Sequence, residues 1–180
     1  MQEKVPRPAL DDDTLAFAHR VFDYTRAGQA AALEELLAMG LPPNLRNEKG
    51  DSLLMLACYH GHGDVARALL EHGGDPELVN DRGQTPLAAA AFKGDAAIVR
   101  LLLEHGARID GHGPDGRTAL SMAAMFNRVE IVDLLLAHGA DPLARDAQGL
   151  TAEAVARAMG APDTPVRLIE AMTRNGSRTD

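Results

Sequence analysis

Glycine recurs on a fixed lattice. Gly50, Gly83, Gly116 and Gly149 stand 33 residues apart, and Gly40, Gly73, Gly106 and Gly139 keep the same step. A third series runs Gly28, Gly61, Gly94 and Gly160, with Asn127 in the one vacant place. Twelve of the 17 glycines obey this period, which chance does not produce. Such a period points to a stack of equal units, each burying its apolar face on the next. Each glycine marks a place where a helix stops and the chain turns, at φ > 0. Asn127 fits, because Asn is the next most tolerant residue there.

Other residues keep the register. Ala57, Ala90, Ala123 and Ala156 align, and small side chains let helices approach closely. Leu36-Leu37, Leu69-Leu70, Leu102-Leu103, Leu135-Leu136 and Leu168-Ile169 align as apolar pairs. Ser52, Thr85, Thr118 and Thr151 each follow a turn glycine by two residues, where a hydroxyl can cap a helix. Each unit therefore holds two helices, as at Thr85 to Phe92 and Asp95 to Glu104, followed by a turn-forming stretch. In the second, Ile98, Leu101 and Leu102 share one face.

Composition narrows the class further. The chain carries 26 Asp+Glu against 18 Lys+Arg, a formal charge of −8. An acidic chain without a Lys/Arg run is poorly suited to nucleic acid or an anionic membrane, since both are polyanions. Hydrophobic residues make up 46% and aromatics 3%, with no Trp, which suits a core of Ala and Leu in closely packed helices. Cys58 is the only cysteine, so no internal disulfide and no four-cysteine zinc site can form. Residues 1–8 have no apolar stretch after their charges, so no secretory signal is expected, and no apolar run reaches 18 residues. A cytoplasmic location is the expectation.

Two segments resemble a known family. Asp81-Arg82-Gly83-Gln84-Thr85-Pro86-Leu87-Ala88-Ala89-Ala90-Ala91 and Ile98-Val99-Arg100-Leu101-Leu102-Leu103-Glu104-His105-Gly106-Ala107 are similar to the two halves of the ankyrin repeat. The overall look is of a small, free-standing bacterial-type ankyrin protein. The resemblance implies an all-α solenoid of about five helix-turn-helix units with turn fingers. The expected layout is a tail at 1–13, one domain at 14–172 and a tail at 173–180. Within the domain, 14–47 is an N-terminal cap unit, 48–80, 81–113 and 114–146 are internal, and 147–172 is a C-terminal cap. The family's His after Thr-Pro-Leu is replaced by Met55, Ala88, Ser121 and Ala154, so weaker hydrogen bonding between units is expected.

The resemblance also implies a partner protein bound in a concave groove. Two surfaces are candidates. At the end of successive first helices stand Arg26-Ala27, Tyr59-His60, Phe92-Lys93 and Met125-Phe126. Three of the six aromatics lie here, giving a ladder with Arg26, His60 and Lys93 as a basic flank, the pattern of aromatic anchors with a polar rim. Alternatively, these side chains fold back onto the stack. The turn tips form the second surface, with Lys49, Asp51, Arg82, Gln84, Asp115 and Arg117. Their Asn and Asp residues equally suit plain turn formation.

No catalytic constellation, cofactor motif or metal set is expected, and the protein reads as a non-enzyme, monomeric on its own. His72, His105 and His138 repeat every 33 residues, but a helix C-terminus alone favours His. Cys58-Tyr59-His60-Gly61-His62 offers an alternative as a metal or enzymatic centre, although Cys58 aligns with Ala91 and Ala124. A self-assembling structural role is the third reading.

Overall fold

The computed structural model describes residues 11–176. Its elements are α1 (Asp12–Arg26), α2 (Ala30–Ala38), α3 (Leu53–His60), α4 (Gly63–Glu71), α5 (Pro86–Lys93), α6 (Ala96–Glu104), α7 (Ala119–Met125), α8 (Val129–Ala137), α9 (Ala152–Ala158) and α10 (Thr164–Gly176). Each odd-numbered helix packs on the even-numbered helix that follows it. The odd-numbered helices also pack on one another in succession, as do the even-numbered ones, giving a two-layer all-α solenoid. Among the described residues no helix is long and apolar enough to cross a membrane.

The glycine lattice is a set of left-handed turns. All twelve lattice glycines have φ between 70° and 96°. Asn127, at φ 54°, is the sole non-glycine residue with positive φ among the described residues. The aligned hydroxyls cap the odd helices. Ser52 accepts from the Met55 amide at 3.0 Å, Thr85 from Ala88 at 3.1 Å, Thr118 from Ser121 at 3.2 Å and Thr151 from Ala154 at 3.3 Å. The aligned alanines Ala57, Ala90, Ala123 and Ala156 are wholly buried, as are Leu69, Leu102, Leu135 and Leu168 from the apolar pairs.

The end units differ from the expected boundaries. α1 begins at Asp12, inside the stretch expected as tail, because Asp11 accepts from the Thr14 amide at 2.7 Å and caps it. That bond and a second from the Thr14 hydroxyl hold the Asp11 carboxyl below its ordinary range. At the other end α10 runs to Gly176, past Met172. Residues 1–10 and 177–180 of the expected tails lie outside the described residues.

Hydrogen bonding joins successive units at several places. It is supplied without the family's His. Asn44 donates to the Gly73 carbonyl at 3.2 Å and accepts from the Asp75 amide at 2.8 Å. Arg46 donates to the Val79 carbonyl at 2.5 Å, and Glu77 accepts from the Arg108 amide at 2.9 Å and its guanidinium at 2.5 Å. The Asp81 amide donates to the Lys49 carbonyl, and the Ala147 amide to that of Asp115. Further struts reach back to first-helix ends: His62 Nε2 donates to the Arg26 carbonyl at 2.8 Å, and Arg128 Nε to that of Phe92 at 3.0 Å.

Candidate functional site

The ends of α3, α5 and α7 bring three rings into one row. Tyr59 and Phe92 stack with centroids 5.9 Å apart and planes 6° from parallel. Phe126, the residue that caps α7, meets Phe92 edge-on at 4.5 Å. Tyr59 is 46% exposed and Phe126 40%, whereas Phe92 is half-buried between them. Met125, in register with Tyr59 and Phe92, is also half-buried. The row is therefore a continuous contact with exposed ends, not four separate anchors.

Charge gathers beside it. Lys93 places its ammonium 5.4 Å from the Tyr59 ring centre, and His60 meets the same ring edge-on at 5.4 Å. Arg26 lies over Phe22 at 5.8 Å and pairs with Asp23 at 3.0 Å. The His60 pKa is lowered from the ordinary 6.5, first by burial, then by the charges of His62, Lys93 and Arg26. The ring is thus held toward its neutral form in a locally positive field.

The two surfaces expected separately share one cleft of about 240 Å³. Its lining takes Arg26, Tyr59 and His60 from the helix ends, and Lys49, Asp51, Arg82 and Gln84 from the turn tips. Arg82 and Gln84 also border a second, smaller hollow of about 160 Å³, with Asp115 and Arg117. Phe92, Lys93, Met125 and Phe126 line neither.

Several cleft residues have structural duties. Asn47 Oδ1 accepts from the amides of Lys49 and Asp51, both at 2.9 Å. Asn80 Oδ1 repeats the pattern with Arg82 at 3.1 Å and Gln84 at 3.0 Å. These are turn-forming bonds that a short side chain makes to its own backbone. Asp51 is buried, and its two oxygens accept from the side-chain amides of Asn80 at 2.8 Å and Asn47 at 3.3 Å. It belongs to the turn scaffold more than to the open surface. Asp115 accepts from the Arg117 amide at 3.2 Å, and the Arg117 guanidinium lies 3.9 Å from it. Sequence reasoning missed Asn80 as the floor of the cleft. Its turn-forming type was legible, but not its reach to Asp51 in the preceding unit.

The other candidate centre is built differently. Cys58 is wholly buried in the core, and desolvation pushes its thiol well above the ordinary range, away from the reactive thiolate. His62 is engaged with the Arg26 carbonyl. Among the described residues no group of three or more His, Cys, Asp or Glu is placed to hold a metal ion. His72, His105 and His138 each donate from Nδ1 to the carbonyl four residues earlier, at 2.8 to 2.9 Å, closing their helix ends.

The family model for ankyrin repeats, in three copies, matches residues 22–112 and 72–146. The chain belongs to the ankyrin repeat family. A protein of Pseudomonas aeruginosa named for its ankyrin repeats is 63% identical over 62 residues. That stretch is 34% of this chain and 36% of the relative, so the chain spans about a third of the relative's length. Ankyrin repeats are generally protein–protein interaction modules.

Proposed function

We propose that this ankyrin protein is a non-catalytic, cytoplasmic binding module that takes a partner protein in its groove, as an adaptor or as an inhibitor. The carrying observation is the run from Phe126 through Phe92 and Tyr59 into the cleft bordered by Arg82. Exposed aromatics at the edge of a preformed hollow are the residue types that dominate binding energy at interfaces. Scattered apolar residues are normal on a surface, but a contiguous row is not. The turn-tip residues Lys49, Arg82, Gln84, Asp115 and Arg117 would select the partner, with Asp51 holding the turns in shape. Arg26, His60, Lys93 and Met125 would flank the anchors. The inert, buried Cys58 supports a role without chemistry.

The test is a quantitative pull-down from native lysate with two baits. One is the wild-type chain. The other carries Tyr59→Ser and Phe126→Ser, leaving half-buried Phe92 as support, with circular dichroism checking helix content. A protein retained by the first bait and lost by the second supports the groove. Equal capture by both baits removes the ring row from the interface.

A further inference from the structure

The partner's chemistry can be read one step further, on the strength of the groove reading above. The chain is strongly acidic, yet Arg26, Lys49 and Arg82 line one cleft, and Lys93 stands beside it on the Tyr59 ring. Which of these charges already has a partner decides the matter. Arg26 pairs with Asp23, and Lys93 lies over Tyr59. Both Asp51 oxygens accept amide hydrogens from within the protein. Lys49 and Arg82 form no side-chain ion pair among the described residues, and both are exposed. Arg82 lines both hollows.

The cleft has a polar and an apolar side. Gln84 uses its carbonyl oxygen to accept from Asn80 at 3.1 Å, which leaves its amide group to donate outward. Tyr59 and Leu56 supply an apolar wall. We propose that this cleft binds an acidic segment of the partner in extended form. A carboxylate of Asp or Glu would pair with Arg82 and Lys49, a backbone carbonyl would accept from Gln84, and an adjoining apolar side chain would rest on Tyr59. A planar guanidinium matches a carboxylate in a two-point pair, which gives direction as well as attraction.

A phosphate-rich ligand fits less well. Glu48 and Asp51 also line the cleft, so its cations exceed its anions by only one, three against two. That balance suits single carboxylates and disfavours a dense polyanion. An apolar wall is useful to a peptide side chain and idle toward phosphate.

The test pans a random peptide display library on the full chain. The selected pool should be enriched in Asp and Glu next to an apolar residue. A synthetic peptide from that pool should bind the Lys49→Gln/Arg82→Gln variant at least about tenfold more weakly, because the variant loses two charge pairs, one of them a two-point guanidinium pair. Its affinity should also fall as salt rises from about 0.05 to about 0.5 M. Circular dichroism and a urea midpoint matching wild type certify the variant. A pool with neutral or basic bias, or acidic peptides held equally by the variant, overturns the proposal. So does competition by millimolar inorganic phosphate, which would assign the cleft to phosphate groups. The proposed groove survives any of these if the Tyr59→Ser/Phe126→Ser bait still loses its partner in the pull-down, so the two failures are distinguishable.

Discussion

Replacing Asn127 by glycine and by alanine separates two jobs that the residue performs together. Its backbone sits at φ 54°, the conformation that glycine supplies at the other places in its series. Its side chain does what glycine cannot. Oδ1 accepts from the Asp163 amide at 3.0 Å and the Thr164 amide at 3.1 Å, while Nδ2 donates to Asp163 Oδ2 at 2.9 Å. Those amides stand at the start of α10, so Asn127 caps the last helix from the preceding unit. Loss of a helix cap costs about 1 kcal/mol, within a range of about 0.5–2. A left-handed residue with a Cβ costs a further 1–2 kcal/mol, roughly. Asn127→Gly removes only the first contribution, whereas Asn127→Ala removes the cap and leaves a Cβ at positive φ without the local compensation an Asn side chain supplies. The expected losses are about 1 kcal/mol for glycine and about 2–3 kcal/mol for alanine. Urea unfolding measures the sums. Hydrogen exchange at the α10 amides localises them, because a solenoid can fray from its end unit. A glycine variant as stable as wild type, with unchanged exchange in α10, would refute the capping role. Equal losses in the two variants would refute the backbone argument.

Gly113→Ala should be severe, since a Cβ there would run into the Gly83 carbonyl oxygen and force two fingers apart. A loss of roughly 1–3 kcal/mol or more is expected in urea unfolding. Gly106→Ala meets nothing within 4 Å and should carry only the penalty of φ 86°, about 1–2 kcal/mol. His60 should titrate below 6.5 in an NMR pH series, and Lys93→Gln should raise its midpoint only in part, because burial is the larger cause. Because its folded pKa lies below the unfolded one, stability from His60 is present above about pH 6.5 and lost as pH falls through the folded value. His60→Gln should flatten that slope. Cys58 should resist a thiol reagent in the native protein and react at the rate of unfolding; rapid native labelling would contradict its burial.

The unit repeat was legible because its determinants are local. A turn at positive φ needs glycine or asparagine, and a cap needs a hydroxyl at a fixed offset, so both leave their mark in a single chain. Ser52, Thr85, Thr118 and Thr151 are recognisable as caps from the sequence for that reason. What was not legible joins units. Asn44, Arg46, Glu77 and Asp110 read as ordinary turn residues, and only the stack reveals that they bond to groups 29 to 33 residues away. Asn127 was half legible, its backbone role from the lattice and its cap on α10 only from the fold. The candidate site shows the same division. Tyr59, Phe92 and Phe126 stood out by type and spacing, whereas the meeting of Arg26 and Arg82 in one cleft depends on how successive units sit.

One junction ties the scaffold to the site. The residue after the middle turn is His62 in the second unit and Arg128 in the fourth, and each ties its unit to a carbonyl of the preceding first helix. The third unit has Asp95 there. A carboxylate cannot donate to a carbonyl, and Asp95 instead caps α6 by accepting from the Ile98 amide at 3.0 Å. Among the described residues, the Tyr59 carbonyl receives no such strut. The same junction carries the stacked Tyr59–Phe92 pair and the Lys93 ammonium over Tyr59. Ring contacts thus span a joint at which that side-chain strut is missing. An aromatic pair contributes about 0.5–1.5 kcal/mol beyond area burial, comparable to a single net hydrogen bond. The exposed ring proposed as an anchor is therefore also part of the stack's own fastening. Its removal acts on fold and on binding together, which is why Lys49 and Arg82, whose side chains form no ion pair among the described residues, are the cleaner probes of what the groove recognises.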